Sequence, residues 1–143
     1  MLKNCRPHRV SIAVMLAMAI SVFGMRAQNK PKPELITRRE AKQLAYEVFK
    51  AWGATKLPKF GLELSPTSIY RGFYTVEATW ENPKPGSGIV GHLIVDERTG
   101  DVWDPFSCKL FSYPGLERLQ KRIRIRIGLT HRDYLILKRR PPC

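Results

Sequence analysis

The chain has few residues with which to do chemistry. Its 143 residues include only three histidines and three cysteines. No HExxH, paired CxxC, glycine-rich phosphate loop or nucleophile-elbow pattern occurs. The spacings that carry zinc hydrolysis, dithiol exchange, phosphate cradling and serine-hydrolase catalysis are therefore missing. Asp96, Glu97, Asp101 and Asp104 gather in one turn-rich stretch, but their spacing misses the calcium-loop pattern, and capping of turns is the simpler use. His92 sits in a β-rich run and reads as a strand residue. No catalytic, cofactor-binding or metal-binding residue is assigned, and the chain reads as non-enzymatic, with no cofactor.

Acidic side chains are scarce as well, and unevenly so. Twelve Asp and Glu face 25 Lys and Arg, a formal charge of +13. Residues 28–108 are nearly balanced, with eleven basic and ten acidic side chains. Residues 109–143 hold ten basic side chains against Glu117 and Asp133 alone.

A hydrophobic run long enough to span a bilayer is also lacking. Val10–Met25 is apolar over sixteen residues, two of them serine, short of the ~20 that a membrane helix needs. Lys3, Arg6 and Arg9 precede it without an acid, and small residues follow. This is the build of an export signal, cleaved after Gly24 or Ala27; retention of residues 10–25 as an anchor is the alternative. Export places the protein in the periplasm or outside the cell. Removing residues 1–27 leaves about 116 residues, enough for one small domain.

Residues 28–36 contain Pro31 and Pro33 and read as an extended linker. Thr37 followed by Glu40 matches a capping box. Behind it Ala41, Leu44, Ala45, Val48, Phe49 and Trp52 recur at spacings of three and four, one apolar helical stripe that Gly53 ends. The period then changes to two. Phe60, Leu62 and Leu64 alternate with Gly61 and Glu63, and Tyr74, Val76, Ala78 and Trp80 alternate with Thr75, Glu77 and Thr79, a half-buried strand with a polar outer face. Residues 81–88 form a loop, Ile89–Val95 a strand, and Val102-Trp103 a further one across a turn at Asp96–Asp101. The fold class expected is α+β, with one N-terminal helix on a roughly four-stranded antiparallel sheet over residues 37–107.

Thr37-Arg-Arg-Glu-Ala-Lys-Gln-Leu-Ala45 and Leu93-Ile-Val-Asp-Glu-Arg-Thr-Gly-Asp-Val102 together resemble the exported PepSY-type module. That family pairs a helix of this pattern with a closing hairpin. Small NTF2-like and cystatin-like domains, some immunity proteins among them, share the helix-on-sheet pattern. The resemblance covers about residues 37–104 and implies a non-catalytic binding or inhibitory module in the envelope. The loop at 81–88 and the basic terminus depart from the basic family pattern.

Residues 108–143 form a basic C-terminal segment with two readings. As a helix from Pro114, Leu116, Leu119, Ile123 and Ile127 share a face; as a strand, Ile123, Ile125 and Ile127 oppose Arg122, Arg124 and Arg126. Pro at the start and good helix formers favour helix. A second short helix is expected from Thr130, with Asp133 three residues on. Lys121, Arg122, Arg124, Arg126, Arg132, Lys138, Arg139 and Arg140 are the candidate partner-binding residues. An anionic envelope polymer, a membrane surface or an acidic protein would suit them, and a membrane would gain about 1 kcal/mol per basic residue. Nucleic acid is disfavoured by export. The leading reading is an envelope binding module that contacts an anionic partner. The alternative is an immunity or inhibitor protein that blocks an acidic active site.

Two cysteines remain after signal removal, and in an oxidising compartment Cys108 and Cys143 are expected to pair. Pairing between chains through Cys143 is the alternative. Closing this loop stabilises by roughly 3–4 kcal/mol in the chain-entropy model. Protein recovered from the periplasm should run faster on a non-reducing gel than on a reducing one, with an intact mass lacking both thiol hydrogens; free thiols at Cys108 and Cys143 would sink the bridge.

Overall fold

Thr37 opens the first element. A computed structural model describes residues 34–68, 70–81, 86, 88–139 and 141. The export signal, residues 28–33 of the 28–36 linker, much of the 81–88 loop, Arg140 and Cys143 lie outside these residues. Helix α1 spans Arg38–Ala51. Both arms of its capping box form: Glu40 N donates to Thr37 Oγ1 at 3.2 Å, and Thr37 N donates to Glu40 Oε2 at 2.7 Å. The free backbone donors of the first turn are thereby satisfied. Ala41, Leu44, Ala45, Val48 and Phe49 line the buried face as the spacing predicts. Trp52, the last member of the stripe, is 45% exposed, and a single 3-10 turn, Ala54–Lys56, follows.

Four strands succeed it: β1 Gly61–Leu64, β2 Phe73–Thr79, β3 Ile89–Asp96 and β4 Val102–Trp103. They pair antiparallel in chain order. Leu64 lies opposite Val76, Val76 opposite Leu93, and Val95 opposite Val102, so one apolar face runs across the sheet and receives α1. The turn between β3 and β4 depends on Gly100, whose φ of 71° suits a residue without Cβ. Asp96 caps that turn, accepting from Arg98 N at 2.8 Å and Thr99 N at 3.3 Å.

The polar outer face expected of β2 is only partly so. Thr75 is buried to 4% exposure. Phe73, Ile94 and Trp103 form a second cluster with Tyr70 and Leu110 packed against it. Alternation correctly separates the two faces of the strand but does not reveal that later chain covers the second one.

The C-terminal segment is helical, which decides between the two readings of residues 121–127. Helix α2 spans Pro114–Arg126 and α3 spans His131–Leu137. Gly128, with φ 68°, makes the left-handed turn between them. Thr130 caps α3 by accepting from Asp133 N at 3.1 Å. Leu116, Ile123, Ile127 and Leu129 are buried in the same core cluster as α1 and the inner sheet face. Replacement of Leu44, fully buried at its centre, is expected to cost about 2–5 kcal/mol as Leu44→Ala. In urea titrations this should appear as a lower midpoint with unchanged slope.

Candidate interaction surface

The β3–β4 hairpin buries two carboxylates. Asp96 and Asp101 are 0% and 2% exposed, and a buried charge must be paired. Both partners come from the basic C-terminal segment. Arg124 donates from Nη2 to Asp101 Oδ1 at 2.8 Å and from Nε to Thr99 O at 2.8 Å. Tyr134 OH reaches both Asp101 oxygens at 3.2 Å, and its ring lies 4.1 Å below the Arg124 guanidinium. Arg139 donates from Nε to Asp96 Oδ2 at 2.9 Å and from Nη2 to Gly72 O at 2.7 Å. A Cβ at residue 72 would collide with that guanidinium. A third arginine, Arg126, grips Glu40 at 2.7 Å and Glu34 at 3.0 Å, joining the end of α2 to the start of α1.

The eight predicted contact residues thus fall into different roles. Arg124, Arg126 and Arg139 are engaged within the chain. Lys121, Arg122, Arg132 and Lys138 are exposed, Lys138 with its ammonium 5.7 Å from the Tyr134 ring centre. Arg140 lies outside the described residues. On α2, where successive residues turn by about 100°, the face opposite Leu116 and Ile123 presents Arg118, Lys121, Arg122 and Ile125. Ile125 is 70% exposed.

Two cations absent from the predicted set join this face. A depression of about 490 Å³ between α1 and α2 is lined by Glu47, Lys50, Gly115, Arg118, Lys121 and Arg122. Lys50 stands off the apolar stripe of α1, a signal present in the sequence, but its approach to α2 is a matter of tertiary packing. Arg118 lies on the same helix, one turn before Lys121 and Arg122. Beside this depression, Glu40, Gln43, Tyr46, Leu119 and Arg126 line a second groove that shares Glu47 and Arg122 with the first.

His92 Nδ1 stands 3.5 Å from Glu77 Oε2 on the sheet. Among the described residues no group of three or more His, Cys, Asp and Glu is placed to hold a metal ion. Asp104 caps a turn, accepting from Phe106 N at 2.8 Å. Cys108 adopts φ 55° in the following loop, and its expected partner Cys143 lies outside the described residues.

The architecture defines an α+β protein whose helix-covered sheet is closed at one end by a basic two-helix segment. The chain matches no protein-family model and no curated relative; the PepSY resemblance therefore stays one of pattern. Among solved structures it is similar to a chain of a type VI secretion system effector-immunity complex from Pseudomonas protegens. That likeness has 25% identity and a TM-score of 0.60, and covers 73% of this chain and 88% of that one.

Glu40 and Asp101 respond to acid in opposite directions. Burial pushes Glu40 up, but the Thr37 backbone N–H and the Arg126 guanidinium outweigh it and hold the carboxyl below its ordinary 4.5. Burial of Asp101 prevails over Arg124 and Tyr134 and raises it above its ordinary 3.8. A depressed carboxylate stabilises the fold above its unfolded pKa, and that contribution is lost as pH falls through the folded value. A raised one stabilises below its unfolded pKa and loses this as pH rises. The stability gap between wild type and Glu40→Gln should therefore be full near neutrality and shrink as pH falls below 4.5, read from denaturant midpoints across pH. A gap independent of pH would contradict the Glu40–Arg126 linkage.

Proposed function

We propose that the chain is an immunity-type protein that binds a type VI secretion effector and blocks it by contact, without chemistry of its own. The observation that carries this reading is the likeness, over 73% of the chain, to a protein of an effector-immunity complex. The filled interior supports it. Ala41, Leu44, Ala45, Val48 and Phe49 occupy the inner sheet face, so a partner of any size must meet the outside of the molecule. A protein partner accordingly ranks above the envelope polymer or membrane surface as the occupant of the basic face. The basic n-region and the apolar run 10–25 fit export to the periplasm, where a Cys108–Cys143 bridge would form and where an incoming effector would be met.

The test is neutralisation. Each antibacterial effector of the producing organism is directed to the periplasm of a sensitive host, with and without the full-length protein. Growth should be restored for one effector, and the purified pair should co-elute in fixed stoichiometry from a sizing column. Failure to rescue or bind every such effector, with salt-sensitive retention on cell-wall polymer instead, would replace this reading with an envelope-binding one.

A further inference from the structure

Three of the arginines in the basic segment neutralise acids within the fold, and three neighbouring cations do not. Arg118, Lys121 and Arg122 make no ion pair among the described residues, although they crowd one side of α2 at spacings of three and four. Like charges at these spacings destabilise a helix by a few tenths of a kcal/mol per pair. Lys50 of α1 adds a fourth charge from across the depression. The only acid in the lining is Glu47, which is 3.9 Å from Lys50. The fold itself gains nothing visible from this arrangement.

The site is concave rather than flat. Gly115 lies in its lining, and a Cβ there would lie 2.5 Å from Glu47 Oε2, the far end of that side chain. A side chain at this position would displace the Glu47 carboxylate and narrow the space. Ile125, one turn beyond Lys121 on the same helix, is 70% exposed. Arginine is enriched at the energetic centres of protein contacts, and complementary charge across a contact sets partner and rate. We infer that the depression ringed by Lys50, Arg118, Lys121 and Arg122 is the docking point for an acidic loop of the partner protein. This inference rests on the immunity-type reading for the partner's identity but not for the position of the site. A lipid surface would engage charges spread over a plane, whereas these converge into a recess large enough for a few carboxylate side chains.

Two experiments separate the site from the reading behind it. In the first, a hexaglutamate peptide is titrated into isotope-labelled full-length protein. Amide shifts should concentrate at Lys50, Arg118, Lys121 and Arg122 and vanish at high salt. Shifts centred on Arg132 and Lys138 instead, or none, would overturn the docking point. So would equal retention of wild type and the Arg118→Glu/Lys121→Glu/Arg122→Glu variant on phosphatidylglycerol vesicles, with no peptide response. In the second, that variant is tested against the effector that wild type neutralises. Affinity should fall on the order of 100-fold, while Lys56→Glu, at an exposed lysine outside both depressions, binds as wild type and both variants melt like wild type. Undiminished binding by the triple variant refutes the docking point and leaves the immunity reading standing. Where wild type neutralises no effector the reading fails, and the peptide titration alone decides the site.

Discussion

Two buried carboxylates, Asp96 and Asp101, set the terms for the rest of the molecule. The tight β3–β4 turn needs acceptors for its backbone, and Asp96 provides one, yet its enclosure leaves charge where water cannot solvate it. The remedy lies at the other end of the domain, in Arg124 and Arg139. Separating a buried pair by deleting one partner costs about 3–5 kcal/mol, because the other is stranded. The basic segment is consequently built into the fold. Its apolar residues complete the core, and two of its arginines, Arg124 and Arg139, complete the polar interior.

Much of this was legible from residue patterns. The Thr37 and Glu40 pair marked the start of α1, and the three-four spacing through Phe49 marked its buried face, because local hydrogen bonding and one-sided burial leave periodic traces. The meander was legible for the same reason, as was the Thr130 cap of α3. The helix over residues 114–126 was readable only as a preference, since Ile and Arg alternate near its end with a period that also suits a strand. Burial of Leu116 and Ile123 against α1 resolves it, and that contact has no local signature.

The charge was harder to read. Composition locates cations along the chain, but whether an arginine is spent or free depends on acids far away in sequence. Arg126 reaches Glu34 and Glu40 across more than eighty residues, and no spacing rule connects them. Arg124, Arg126 and Arg139 therefore looked identical to Lys121 and Arg122 until the fold was known. The same limit hid Lys50, whose neighbours on α2 come from packing. A count of positive charge overstated the free surface while omitting part of its lining.

The placement of the hairpin's partners also has a temporal side. Asp96 is satisfied by residue 139 and Asp101 by residues 124 and 134, all of which follow the sheet in the chain. A ribosome making this protein releases the strands well before the arginines that neutralise their turn. The polar interior of the hairpin is therefore completed only by the last helices of the chain, through contacts whose long sequence separation favours slow closure.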